Sequence, residues 1–195
     1  MIYWIGYCFW KFLGIFFYPI TLHGAENIPR LGAYIFASNH LSNMDPMLIG
    51  LCVRCRLSYF AKDTLFKNKF LSFILFQVGA FPVKRHSADI GAVREALARL
   101  KSGCPLVVFP EGSRHIEKKE IQSGIAFIAV KSGVPVIPVF IKGSDKLMGT
   151  GTKFLKRQSI SIYFGHPRIY TQNEAYPDIA QSIMADINAL GAEAK

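Results

Sequence analysis

Acid is scarce in this 195-residue chain. Thirteen Asp and Glu stand against 23 Lys and Arg, a net charge of +10. That imbalance points to an anionic partner, either an anionic lipid surface or an anionic substrate. Nucleic acid is disfavoured as the partner, because the cations are spread through the chain and mixed with long apolar runs. Cysteine is sparse too: Cys8, Cys52, Cys55 and Cys104. Cys52 and Cys55 form a C-x-x-C, but no second pair or His-x-His partner completes a zinc site, so no metal is expected. They read as small buried thiols in a reducing compartment. There is no G-x-S-x-G, which removes the nucleophile elbow and the acyl-enzyme it would carry. Repeats, linkers and low-complexity segments are absent.

What the chain has in quantity is apolar surface: 51% hydrophobic residues, 16 of them Phe. Residues 1–18 carry one charge, Lys11, among Tyr3, Trp4, Tyr7, Trp10 and Tyr18. No basic stretch precedes this segment and no small-x-small site follows it, so it does not read as a signal peptide. As a helix it would be about 27 Å long, marginal for a hydrocarbon core of roughly 30 Å. Its aromatics suit the water–lipid interface, and Lys11 can snorkel. Residues 1–18 are therefore expected to be a membrane-associated helix, interfacial or half-inserted, with a short transmembrane helix and a core helix as the alternatives. Residues 19–195 form the remaining domain.

In that domain, strands are expected at 20–23, 33–37, 57–61, 79–83, 106–109, 134–141 and 159–164. Pro135 and Pro138 make the sixth irregular or an edge strand. Helices are expected after Pro46, with Asp45 as N-cap, and from Ser87 or Asp89 to Gly103, over 121–131 and over 179–190. Lys62–Phe76 is basic and aromatic and takes no assignment. Alternating elements predict an α/β domain: a mixed, largely parallel sheet flanked by helices, with the N-terminal membrane-interacting helix added. Ligands in such sheets sit beyond the carboxyl ends of strands. His40, Arg85 and Glu111 each follow an expected strand.

Four segments carry chemistry. In Asn39-His40-Leu41-Ser42-Asn43-Met44-Asp45, an aspartate five residues after a histidine can fix the imidazole tautomer and stabilise its protonated form. Phe109-Pro110-Glu111-Gly112-Ser113-Arg114 sets a carboxylate, a glycine and a guanidinium after a strand. Gly79–Arg85 ends on two cations. Val134–Val139 is apolar and stiffened by proline. Taken singly, each also fits a plain structural role.

Together the four resemble the lysophospholipid acyltransferase family, and within it the bacterial 1-acylglycerol-3-phosphate acyltransferases. The pattern is N-H-x4-D, G-x-F-x3-R, F-P-E-G-[TS]-R and V-P-V-I-P-V, in that order, across roughly residues 20 to 140. The resemblance implies transfer of a fatty acyl group from acyl-CoA or acyl-carrier protein to the sn-2 hydroxyl of lysophosphatidic acid, with no other cofactor. It makes His40 the general base and Asp45 its partner. It assigns Arg85, Glu111, Gly112, Ser113 and Arg114 to the phosphate-bearing acceptor, and Pro135, Ile137 and Pro138 to the donor or acyl chain. It implies a place on the cytoplasmic face of the cell membrane, against anionic phospholipid. Other acceptors, glycerol 3-phosphate or a lyso-aminolipid, and a non-catalytic membrane-surface binder are the alternatives. Two departures stand out: Ser113 replaces the commoner threonine, and Gln122-Ser123 stands where a lysine is expected before Gly124.

Overall fold

The computed structural model describes residues 2–84, 89–111, 124–148 and 156–194. Seven strands form one sheet in the order β1-β7-β6-β2-β5-β3-β4: β1 Ile20–His23, β2 Ile35–Ser38, β3 Ser58–Lys62, β4 Ala80–Val83, β5 Leu106–Val108, β6 Val136–Lys142 and β7 Ile160–Phe164. Every pairing is parallel except β6 with β7. The carboxyl ends of β2, β3, β4, β5 and β6 therefore share one edge of the sheet. The central strands are apolar on both faces (all four residues of β2 are buried), as a sheet covered on both sides requires.

Helices α1 Ile2–Phe17, α2 Asp45–Cys52 and α3 Lys69–Gln77 lie on one face. Helices α4 Ile90–Lys101, α5 Gly124–Ser132 and α7 Tyr176–Glu193 lie on the other. A single turn, α6 Ser144–Leu147, follows β6. Asp89 caps α4 by accepting from Ala92 N–H at 2.9 Å.

Two expectations are corrected. β6 is not an edge strand: it is flanked by β2 and β7. Pro138 is tolerated in its interior because its missing N–H would face β7 just past the end of that ladder. There only its carbonyl is used, accepting from Gly165 N–H at 2.9 Å. The segment left unassigned, 62–76, holds a 3-10 turn at Asp63–Lys67 and then α3.

Helix α1 has two faces. Tyr7, Trp10 and Leu13 pack against the core, and Tyr3 and Tyr7 donate to the carbonyls of Cys55 and Leu51. The fully buried Tyr18, just beyond it, donates back to Trp10 C=O, and burial pushes its hydroxyl up to about 12. Trp4, Ile5, Phe9, Phe12, Ile15 and Phe16 are exposed on the other face. Among the described residues no helix is long and apolar enough to cross a membrane.

Candidate active site

β2 ends at Ser38, and the chain turns through Asn39–Met44 into α2. That loop is pinned at both ends. Asn39, buried, donates its amide to Ile141 C=O at 3.0 Å and accepts from Ile141 N–H at 2.8 Å, so one side chain satisfies both polar groups of a β6 residue. Ser42 Oγ donates to Met148 C=O at 2.7 Å and accepts from Met44 N–H at 3.2 Å. Ser38 Oγ donates to Asn39 C=O. Both serines beside the histidine are thus committed to structure, which fits the absence of a nucleophile context.

Between these pins sit His40 and Asp45. His40 Nδ1 lies 2.9 Å from Asp45 Oδ2. The same carboxylate oxygen accepts from the backbone N–H groups of Leu41 and Ser42, each at 2.7 Å. Asp45 is fully buried at the first residue of α2, where the helix dipole favours an anion. It was expected to be the N-cap. The helix instead begins one residue earlier than that reading requires, with Met44 in the cap position, and the carboxylate is spent on the loop and the imidazole. A carboxylate at Nδ1 fixes the proton there and leaves Nε2 with a lone pair. The ring stacks on Phe109, centroids 4.1 Å apart and planes inclined by 23°, and keeps 12% of its surface open. Neither the Asn39 clamp nor the Phe109 stack was foreseen. Their only signals were adjacency to the histidine and to the Pro-Glu-Gly turn.

Strand β5 brings Phe109, Pro110 and a buried Glu111 to the same edge. β4 ends there at Val83, two residues before Arg85. Arg85, Gly112, Ser113, Arg114 and the Gln122-Ser123 departure lie outside the described residues. His40 and Asp89 line a cavity of about 190 Å³ whose other walls are apolar, among them Phe60, Val83, Phe109, Ile125 and Ile128. Pro135, Ile137 and Pro138 do not line it. Ile137 is fully buried core, and Pro138 borders a different cavity, beyond the amino end of β6. The Cys52 thiol is pushed up to about 12 by burial, so it stays protonated and unreactive near neutrality. Among the described residues no His, Cys, Asp and Glu cluster could hold a metal ion.

A family model described as Acyltransferase matches residues 19–142, so it takes in β1 to β6 and the whole loop. The chain belongs to the acyltransferase family. This acyltransferase is 26% identical over 149 residues to a 1-acyl-sn-glycerol-3-phosphate acyltransferase of Bacillus subtilis, covering 76% of this chain and 73% of the relative. It is 28% identical over 181 residues to the enzyme of that name in Streptococcus pneumoniae, covering 89% and 66%. A chloroplastic one of Arabidopsis thaliana is 26% identical over 186 residues, and the acyltransferase spans about half of it, 52%. The crystal structure of the 1-acyl-sn-glycerophosphate acyltransferase of Thermotoga maritima superposes with a TM-score of 0.76 at 26% identity, over 90% of this chain and 72% of that one.

Proposed function

We propose that the chain acylates the sn-2 hydroxyl of lysophosphatidic acid, taking the acyl group from acyl-CoA or acyl-carrier protein. The observation that carries this reading is the His40–Asp45 pair at the carboxyl edge of the sheet, its carboxylate fully buried and its imidazole engaged through Nδ1, partly exposed and lining a cavity. Relatives named for this acceptor support it. Nε2 takes the hydroxyl proton as the substrate oxygen attacks the thioester carbon, and Asp45 stabilises the imidazolium. The tetrahedral intermediate collapses, the C–S bond breaks, and the proton passes from Nε2 to the departing thiolate. Because the acceptor itself attacks, no serine is needed. The largely apolar cavity beside His40 suits part of an acyl chain. By the family pattern, Arg85, Glu111, Gly112, Ser113 and Arg114 bind the phosphate-bearing acceptor: the two guanidinium groups match the phosphate's geometry, and Glu111 accepts from substrate hydroxyls.

The acceptor's tail belongs in a bilayer. The exposed aromatic face of α1, with no helix among the described residues long and apolar enough to cross, supports an interfacial stance on the cytoplasmic face of the membrane. The test is an acyl-transfer assay of purified protein offered lysophosphatidate or glycerol 3-phosphate, each with acyl-CoA or acyl-carrier protein. Transfer to lysophosphatidate that is lost in His40→Ala is the expected result. Transfer to glycerol 3-phosphate alone would reassign the acceptor, and no transfer from either donor would leave a membrane-surface binder.

A further inference from the structure

Helix α3 is the one long helix among those described that buries none of its residues in its own domain. Its sequence is Lys-Phe-Leu-Ser-Phe-Ile-Leu-Phe-Gln, with Asn68 capping it by accepting from Leu71 N–H at 3.0 Å. Leu75 reaches the core in part, as does Phe66 just before the helix. Phe70, Phe73 and Phe76, spaced by three, form a stripe that faces solvent; Phe70 is 75% exposed. An aromatic stripe of this kind on a folded domain calls for a partner.

The surroundings say which partner. Lys62, Lys67 and Lys69 are exposed around the stripe, and Asp63 is the sole acid in the excursion from β3 to β4. A basic fringe around an aromatic face fits an anionic bilayer surface. The stripe also lies on the side of the sheet that carries α1, whose own exposed face is aromatic. One turn joins the two helices: Tyr3 of α1 donates to Cys55 C=O, and the Arg56 guanidinium donates to Phe76 C=O at the end of α3. Lys62 closes β3, the neighbour of β5, so the fringe starts at the strand edge that carries His40.

We infer that α3 is a second, shallow membrane contact: Phe70 and Phe73 enter the acyl region of an anionic bilayer while Lys62, Lys67 and Lys69 meet its phosphates. The inference rests on the proposed lipid acceptor and adds orientation to it. A single interfacial helix leaves the domain free to roll about that helix's axis. A second contact on another element removes that freedom and fixes the height of the His40 edge above the lipid.

The two tryptophans, Trp4 and Trp10, both lie in α1, so a reporter can be isolated on α3 in the full chain. In a Trp4→Phe/Trp10→Phe background, Phe73→Trp is mixed with vesicles of phosphatidylglycerol and phosphatidylcholine, plain or brominated along the acyl chain. The expected result is a blue shift on vesicle addition and quenching by the bromines. Lys62→Gln/Lys67→Gln/Lys69→Gln should weaken partitioning onto these vesicles on the order of 100-fold, with little change on neutral ones. If Phe73→Trp disturbs folding, Phe70→Trp carries the same readout. Vesicle-bound protein whose reporter is neither shifted nor quenched overturns the inference, as does protein that stays off the vesicles. A concentration-dependent blue shift without lipid would make the stripe a contact between two copies, which also overturns it. Transfer to a short-chain, water-soluble acceptor, measured without vesicles, reports on the proposed chemistry separately.

Discussion

Three donors converge on one oxygen of Asp45, and that convergence decides how substitutions in the loop should behave. His40→Ala removes the proposed base and leaves the Leu41 and Ser42 bonds to Asp45 in place. Turnover is expected to fall on the order of 10²- to 10⁴-fold with the melting temperature little changed, and steady-state kinetics with thermal denaturation check both. Asn39→Ala should do something different. It strands the N–H and C=O of buried Ile141, at roughly 1–3 kcal/mol for each unsatisfied group, so the loss appears first in stability. Urea unfolding is the measurement. A variant of full stability and low activity would mean that Asn39 acts on the chemistry and not through the loop's anchorage. The His40–Asp45 pair was legible in the sequence only in company with the other three segments, since a His and an Asp five apart also fit a plain structural role. The anchorage was not, because it joins residues remote in the chain and depends on the order of the strands.

Elements were read well where the pattern was simple. Apolar runs bounded by turn residues gave the strands, and the 3.6-residue spacing of Ile90, Val93, Leu97 and Leu100 gave α4. Two segments resisted. α3 shows no polar face, since its outward side is aromatic, so neither period stood out. β6 carries Pro138, a residue that ordinarily marks an edge, and only the early end of β7 makes an interior place acceptable. The turn from α3 into β4 depends on Gly79, at φ 91°, where an added Cβ would lie 2.1 Å from Leu57 C=O. Gly79→Ala should therefore cost about 1–3 kcal/mol from the left-handed backbone alone, with the collision added. Differential scanning calorimetry would register it, and unchanged stability would show that the turn can rearrange.

Across the whole molecule, one face of the sheet carries two helices with exposed aromatic sides. For residues 1–18 the sequence suggests an interfacial anchor, with a short transmembrane helix and a core helix as alternatives, whereas α1 packs one side on the core and exposes the other. Deleting α1 would strip packing from Tyr7, Trp10 and Leu13, so deletion cannot separate the two roles. Phe12→Ser/Phe16→Ser can. This pair touches the exposed side, and their rings pack on each other, 5.5 Å apart. The double variant is expected to keep its melting temperature and lose flotation with anionic liposomes. It should slow transfer to long-chain lysophosphatidate more than to a short-chain analogue. Equal loss on both acceptors would mean that this side serves the fold and not the lipid.

The clamp between Asn39 and Ile141 joins residues 102 apart in the chain. A ribosome therefore releases α1, β2 and the His40 loop long before it releases the strand that locks the loop, and contacts of such separation form late. The apolar helix can meet lipid while half the sheet is still being made. The nascent chain would then be delivered first and its loop locked last. Stalled chains ending before β6 should accordingly float with vesicles and transfer nothing, and activity from such a chain would show that the loop sets without its clamp.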